Sequence, residues 1–461
     1  MVRALLVSTY ELGHQPVHVA KAASVLQAAG HEVRCVDVVL DSLSADDVDW
    51  ADRVAFAVPM HTAMRLALRV TEIIRERRPD LPLCFFGLYA SVSRSLTVTS
   101  PRDAVIAGEY ERGLVAWMNG EDPGPVVQRD RVKAPVPDRH LLPTLDRYVQ
   151  LAIGGEERLV GSVEASRGCS HRCRHCPVPI VYGGRVRPVE LPSVIADIDQ
   201  LVDAGARHVS FADPDFLNVP RHAQRVVSSM HERHRDLTFD CTVKVEHILR
   251  HRDILSELAE SGCAFVVSAF ESTNDTILGY LDKGHVAAEA SNAVVLLRTH
   301  GIEVRPSWLP FTPWTTLDDL VDILDFVEAH DLVDNVDPVQ YSIRLLLPER
   351  SLLLDHPAMV PYLGPYDAQH LGWTWRHFDP VVDGIQAELA ALVEARVGQP
   401  VSSIFSEINA LVRFYAPHRG APPKLGTMST SFAVDRAHLT EPWFCCSEPT
   451  EVQLSPLTPL G

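Results

Sequence analysis

Short, nearly continuous apolar runs alternate with longer stretches of helical spacing along most of this chain. Residues 2–8 read as a buried strand, 18–29 as a helix closed by Gly30, and 33–39 as a second strand. Residues 53–58, 83–86 and 104–107 continue the series with helices between them. This rhythm predicts an α/β fold that begins with a Rossmann-like, doubly wound parallel sheet over residues 1–120. Its ligand crevice would lie beyond the strand carboxyl ends, among Ser8, Thr9, Tyr10, Glu11, Gly13, His14, Pro59, His61, Gly87, Tyr89, Gly108 and Glu109. Residues 121–157 hold prolines at 123, 125, 135, 137 and 143 with few apolar runs, and read as a linker.

The alternation resumes over 158–350. Strands are expected at 159–168, 207–212, 237–245, 264–270, 302–309 and 339–347, with helices at 191–204, 254–261, 287–300 and 317–330. Six strands so interleaved make a partial (β/α)6 barrel, a fold that places chemistry at strand carboxyl ends. Residues 351–440, with helical spacing over about 366–412, read as a helical C-terminal cap that turns irregular beyond 413. The remaining 441–461 are an irregular tail.

Composition narrows the function. A chain of 461 residues, 46% hydrophobic, can bury two or three cores. A net charge of -18 argues against a nucleic-acid groove or an anionic membrane as the main partner. Residues 1–30 lack the marks of a secretory signal and no stretch approaches a membrane span, so a cytoplasmic protein is expected. Nine cysteines are too sparse for a disulfide scaffold. Cys35, Cys84, Cys241 and Cys263 sit singly beside apolar runs, as small hydrophobes do.

The candidate chemistry centres on Cys169-Ser170-His171-Arg172-Cys173-Arg174-His175-Cys176, where a strand runs into a glycine turn. Three thiolates so close can wrap one face of an iron–sulfur cube. A cube that only carries electrons usually has a fourth cysteine, and none follows closely, so one iron is left open to a chelating molecule. Zinc held by two of these cysteines and His171 or His175 is the bland alternative, but a second ligand pair about a dozen residues away is missing. Polar residues stand at the other strand ends: Asp213 and Asp215 around Pro214, Lys244 with Glu246 and His247, Ser268 with Glu271, and Arg305 with Ser307. Singly each is an ordinary barrel residue; together they read as a lining. Tyr182, just beyond the third cysteine, is a further candidate.

The spacing of Cys169, Cys173 and Cys176 resembles the signature of the radical S-adenosylmethionine (SAM) superfamily. The resemblance implies a 4Fe-4S cluster on these cysteines, with SAM chelated at the open iron and cleaved to a 5'-deoxyadenosyl radical. It also implies an external electron donor such as flavodoxin or ferredoxin and a small-molecule substrate. Asp213, Asp215, Lys244, Ser268, Glu271 and Arg305 would orient SAM, and Tyr182 would shield the cube and adenine. Glu271-Ser272 followed by Leu281-Asp282-Lys283-Gly284 resembles the branch containing methylthiotransferases and cobalamin-dependent methylases. The N-terminal sheet, with its Gly108-Glu109-Tyr110-Glu111 turn, is similar to the cobalamin-binding domain of such enzymes. The Asp-x-His-x-x-Gly motif that supplies cobalt's axial histidine is absent, and Glu11-Leu12-Gly13-His14 lacks its spacing, which leaves cobalamin open as a third cofactor.

Near the end stands Glu441-Pro442-Trp443-Phe444-Cys445-Cys446-Ser447-Glu448-Pro449. It resembles the tail of the CUAEP/CCAEP-tail radical SAM proteins, with Ser447 in place of alanine. The likeness extends to Lys244-Val245-Glu246-His247, Pro313-Trp314-Thr315-Thr316 and Asp337-Pro338-Val339-Gln340. Adjacent thiols suit capture of a thiophilic arsenic- or selenium-type species, donation of a hydrogen atom or electron, or a redox disulfide, so Cys445 and Cys446 are the catalytic candidates. Two rivals stand beside this reading: a cobalamin-dependent radical SAM methyltransferase, and a non-catalytic iron–sulfur or zinc protein that senses redox state or metals.

Overall fold

The computed structural model describes residues 1–92, 97–419 and 436–441. The first sheet is wholly parallel. It runs in the order β2 (Glu32–Asp37), β1 (Arg3–Ser8), β3 (Arg53–Ala57), β4 (Leu83–Phe86), β5 (Ala104–Gly108) and β6 (Val127–Gln128). Successive side chains of a strand face opposite sides, and here both sides are dry. Leu5, Val7, Val54, Phe56 and Phe85 pack under the helix His61–Arg77. Ala4, Leu6, Ala55, Ala57 and Phe86 pack under the helices Val17–Ala28 and Glu111–Asn119. Burial on both faces is what turns the strands into unbroken apolar runs.

The second sheet has the order β14 (Glu303–Trp308), β13 (Cys263–Glu271), β12 (Thr238–Thr242), β11 (His208–Phe211), β8 (Glu156–Val163), β7 (Gln150–Ile153) and β17 (His438–Leu439). Neighbours from β14 to β8 are parallel, while β7 and β17 add an antiparallel edge. Outward residues such as Val163, Val209, Phe239 and Val304 pack beneath the crossover helices in one core.

Several segments depart from the sequence expectation. The expected sixth strand is pared down to a 3-10 turn at Pro338–Ser342 and a single parallel bridge from Phe311 to Arg344. Proline cannot donate to a ladder, and the Gln340 side chain takes over, its carbonyl accepting from the Trp308 N–H at 3.0 Å. Within the proline-rich stretch, β6 extends the first sheet and β7 forms a hairpin with β8. Residues 366–375, the start of the stretch read as helical, lie instead in a hairpin of Leu363–Asp367 and Gly372–Trp375. The helices Pro380–Ala395 and Val401–Tyr415 follow as expected and join the barrel core through Ile385, Leu389, Phe405 and Ile408.

The segment 436–441 crosses between the two edges of the half-barrel. Its strand pairs with β7 on one side, while the Ala437 carbonyl accepts from Arg305 of β14 on the other.

Candidate active site

The expected first barrel strand is two pieces, β8 and the short β9 (Ser166–Gly168), which pairs antiparallel with Val186–Pro188. Between these two arms hangs the cysteine loop. Gly168 opens it at φ +75°, and a Cβ there would lie 2.2 Å from the Arg185 carbonyl oxygen, so only glycine fits. The loop is tied down at both ends. Asn218 Oδ1 accepts from the Ser170 N–H at 3.0 Å and its hydroxyl at 2.7 Å. Arg174 donates from its backbone to Leu281 at 2.9 Å and from its guanidinium to the Gly279 and Tyr280 carbonyls.

Cys169 and Cys173 are buried and Cys176 is half-buried, with Cys169 against Val178, Val181, Tyr182 and Ala107. The Cys176 thiol is pushed up to about 12, chiefly by burial and also by Cys173 and Cys169, against the lowering effect of the Val178 backbone N–H and Lys283. Three thiolates on one loop repel one another, and a cationic metal centre relieves that repulsion. The donor set therefore fits a cluster held at three corners. His171 and His175 turn elsewhere, His171 to Glu246 at 3.5 Å and His175 to Glu271 at 3.2 Å, which leaves the mixed cysteine–histidine zinc alternative without an aimed histidine.

The strand-end candidates divide into two groups. Asp215, Lys244 and Glu271 gather around the loop. Asp215 is fully buried; its Oδ1 accepts from the Leu217 N–H at 3.1 Å and its Oδ2 faces His247 Nδ1 at 2.7 Å. Lys244 is buried, 3.8 Å from Glu246, and its ammonium has no hydrogen-bond partner among the described residues. Glu271 ends β13 at φ +64°, a strained conformation for a non-glycine residue. That turn brings its carboxylate 2.9 Å from Lys283 and 3.2 Å from His175. Burial alone would raise this carboxyl, but Lys283 and His175 outweigh it and hold it well below the usual range.

The other candidates lie apart. Asp213 has both oxygens engaged, with the Ala165 N–H at 2.9 Å and the Ser166 hydroxyl at 2.5 Å, so it pins the β8–β9 junction rather than facing a ligand. Ser268 has the same parity on β13 as Val266 and Phe270, which belong to the outer core, and so stands under the helices. Arg305 pairs with Asp337 at 2.8 Å and reaches Ala437, holding the crossing segment and not the mouth. The Tyr182 hydroxyl donates to Glu109 at 3.2 Å, its ring packed behind Cys169. Cys445 and Cys446 lie outside the described residues.

A buried charge network joins the two sheets. Glu164 accepts from Lys21 of the N-terminal layer and from Arg167 Nε at 2.6 Å; Arg167 also meets Glu111 at 2.7 Å and stacks over Tyr110 at 5.2 Å. Burial works against ionised Glu164, and Arg167, Lys21 and His18 overcome it, holding the carboxyl far below its ordinary value. Charged residues in the otherwise apolar run Val163 to Gly168 were the one sequence sign of this contact.

Beside it, at the carboxyl ends of β1 and β2, is a cavity of about 240 Å³ lined by Glu11, Gly13, His14, Asp37, Tyr148 and Glu441 among others. Glu441 stands over Gly13, where a Cβ would lie 2.7 Å from its Oε2, and accepts from the Tyr10 hydroxyl at 3.0 Å. Pockets for drug-sized ligands run from roughly 300 to 1,000 Å³, so this cavity, as Glu441 closes it, is smaller than those.

A cysteine loop at the carboxyl mouth of a parallel half-barrel, under a Rossmann-like sheet, marks an α/β protein with a thiol-lined site at the strand ends. Residues 163–327 match the family model described as Radical SAM superfamily, and this part of the chain is a radical SAM domain. An uncharacterised methyltransferase of Pyrococcus horikoshii is 22% identical over 360 residues, 71% of this chain and 75% of that protein. The hopanoid C-2 methylase of Rhodopseudomonas palustris is 26% identical over 289 residues, 59% of this chain and 52% of that protein, so the match spans about half of that relative's length. Among solved structures, the cobalamin-dependent SAM radical enzyme OxsB, with aqua-cobalamin and SAM bound, superposes with a TM-score of 0.71 at 16% identity, over 92% of this chain and 74% of that one. The radical SAM methyltransferase TsrM of Kitasatospora setae, with cobalamin and a [4Fe-4S] cluster, gives 0.57 at 17% identity, over 90% and 99%. The fold is shared from the first sheet through the half-barrel. Among the described residues no helix is long and apolar enough to cross a membrane.

Proposed function

We propose that this radical SAM enzyme carries a 4Fe-4S cluster on Cys169, Cys173 and Cys176, binds SAM at the half-barrel mouth, and transfers a methyl group to a small molecule. The observation that carries the reading is the loop itself: three thiols pinned by Asn218, Gly279 and Tyr280 at the carboxyl ends of parallel strands. When bound, the cluster supplies the electron chemistry that opens a carbon–sulfur bond of SAM. The chain's own residues bind and orient. Lys244 offers a buried ammonium donor suited to a carboxylate. The Glu271–Lys283–His175 group holds a fixed negative charge beside the loop, suited to an ammonium. The Arg167 network ties the first sheet to the half-barrel behind the cysteine loop.

Methyl transfer is favoured over other outcomes because the named relatives are methylases and the two superposed enzymes share this chain's architecture over nine-tenths of its length. A corrin would belong in the crevice at the ends of β1 and β2, and would require the Thr440–Glu441 segment to give way; no step is drawn through it. Membership of the CUAEP/CCAEP-tail group rests on the tail sequence and the similar segments at 244–247, 313–316 and 337–340, and with thiophilic capture by Cys445 and Cys446 is part of this proposal. The sensor rival is set aside by the enzyme relatives of the radical SAM domain.

The test is anaerobic reconstitution with iron and sulfide, then reduction in the presence of SAM. 5'-Deoxyadenosine or S-adenosylhomocysteine is expected, and Cys173→Ala should form neither. Zinc without sulfide in the reconstituted protein, or equal turnover by Cys173→Ala, overturns the assignment. Equal turnover by Cys445→Ser with Cys446→Ser removes the tail from the chemistry.

A further inference from the structure

Outside the three thiols, one group of metal-binding side chains among the described residues converges at the barrel mouth. Asp215 follows β11, His247 lies in the short helix Val245–Arg250 after β12, and His171 projects from the cysteine loop. Their ligand atoms all fall within 4.8 Å of one another. His171 Nε2 and His247 Nε2 are 3.1 Å apart, and His171 Nε2 is 3.9 Å from Asp215 Oδ2. Atoms held about 2.0–2.2 Å from one ion sit roughly 3–3.5 Å apart in a tetrahedral shell. With His247 offering Nε2, the two imidazole nitrogens already stand at that spacing, and Asp215 Oδ2 lies slightly beyond it at 3.9 Å from His171 Nε2.

The polar accounting points the same way. Asp215 is wholly buried and the His247 side chain is only 5% exposed, yet Asp215 Oδ2 and His247 Nδ1, 2.7 Å apart, are not aligned as a hydrogen bond. Neither atom has another hydrogen-bond partner among the described residues. Buried polar atoms are rarely left so. The other oxygen of Asp215 caps a backbone N–H, which fixes the carboxylate in place and leaves Oδ2 for a ligand. Glu246 Oε2 stands 3.5 Å from His171 Nδ1, the second carboxylate that commonly backs a metal-bound imidazole.

We infer that His171, Asp215 and His247 form a binding site for one divalent transition-metal ion, separate from the cysteines and next to them. Two imidazole nitrogens and one carboxylate oxygen suit mid-row ions such as Fe2+, Co2+ and Zn2+, and leave coordination positions for water or substrate. His171, the most exposed of the three at 16% of its side chain, marks the side on which those positions open. The inference does not rest on the methyl-transfer reading, nor on the cluster being present.

The probe is Co2+, added anaerobically to the full-length chain bearing Cys169→Ala, Cys173→Ala and Cys176→Ala. The site predicts one bound equivalent with weak visible ligand-field absorption and no strong near-ultraviolet sulfur-to-metal band. Zn2+ should displace it. Adding Asp215→Asn, which keeps the backbone cap, or His247→Gln should weaken binding by about tenfold or more. Far-ultraviolet circular dichroism of each variant checks the fold, and Asp215→Asn carries the test if His247→Gln unfolds. No bound Co2+ in the cysteine-free chain, or binding indifferent to both substitutions, overturns the proposal. Cluster absorbance in the chain with its cysteines intact reports separately on the radical SAM assignment.

Discussion

The interface between the two sheets and the mouth of the half-barrel both bury charge, but they do so in opposite ways. At the interface Lys21 and Arg167 both donate to Glu164, Arg167 also stands 2.7 Å from Glu111, and Arg139 donates to Asp197 at 2.7 Å. At the mouth Asp215 Oδ2 faces His247 Nδ1 at 2.7 Å and Lys244 Nζ stands 3.8 Å from Glu246, in neither case with an aligned hydrogen bond among the described residues. Glu164, hydrogen-bonded from two cations, fixes geometry, whereas the Lys244 ammonium, with no hydrogen-bond partner among the described residues, is poised for something that binds. The two regions should therefore fail differently when mutated.

The largest effect is expected at the interface. Glu164→Gln leaves Lys21 and Arg167 buried without their shared anion, and should lower stability by about 3–5 kcal/mol, read by chemical denaturation. The same carboxyl is held low in the folded chain. Its contribution is full above the ordinary carboxylate value near ~4.3 and is lost as pH falls below it. Glu164→Gln should therefore flatten the acid limb of the stability profile.

Next comes Gly168→Ala. The added Cβ would strike the Arg185 carbonyl at 2.2 Å from a backbone at φ +75°, a strain of order 1–3 kcal/mol. Iron retained after reconstitution should fall well before the global unfolding midpoint does.

Lys244→Met reverses the pattern. Removing a buried ammonium without a hydrogen-bond partner should leave the midpoint unchanged or raised, while SAM affinity falls about tenfold, some 1.4 kcal/mol. Equal losses of stability and affinity would erase the distinction between the two regions.

The smallest effect is expected from Glu441→Ala, which uncovers Gly13 and frees the Tyr10 hydroxyl from this partner. Uptake of hydroxocobalamin, followed by absorbance after gel filtration, should be greater in the variant than in the parent chain.

The sequence made the local features legible and hid the non-local ones. Five barrel strands and the cysteine loop follow from apolar runs and ligand spacing within a dozen residues. The sixth strand read equally well, yet Pro338 and the Gln340 side chain break its ladder, and that substitution shows only when Trp308 is beside it. Ser268 was placed at the mouth because a strand end was assumed to face inward. A register shift between Phe239 and Asp240, opposite the start of β13, changes which residues face in, and the spacing alone does not reveal it. Arg305 and Asp213 are polar residues at strand ends as expected, but their partners, Asp337 and the β8–β9 junction, come from distant or sharply turned chain. The Lys21–Glu164 pair spans 143 residues, beyond any periodicity.

The most direct test of the account is the electron paramagnetic resonance spectrum of the reconstituted, reduced protein before and after SAM is added. The account predicts about four iron and four sulfide per chain, a reduced-cluster signal whose g-values shift when SAM binds, and loss of that signal in Cys169→Ala. A signal that SAM does not move, or a cluster that survives loss of Cys169, would contradict it.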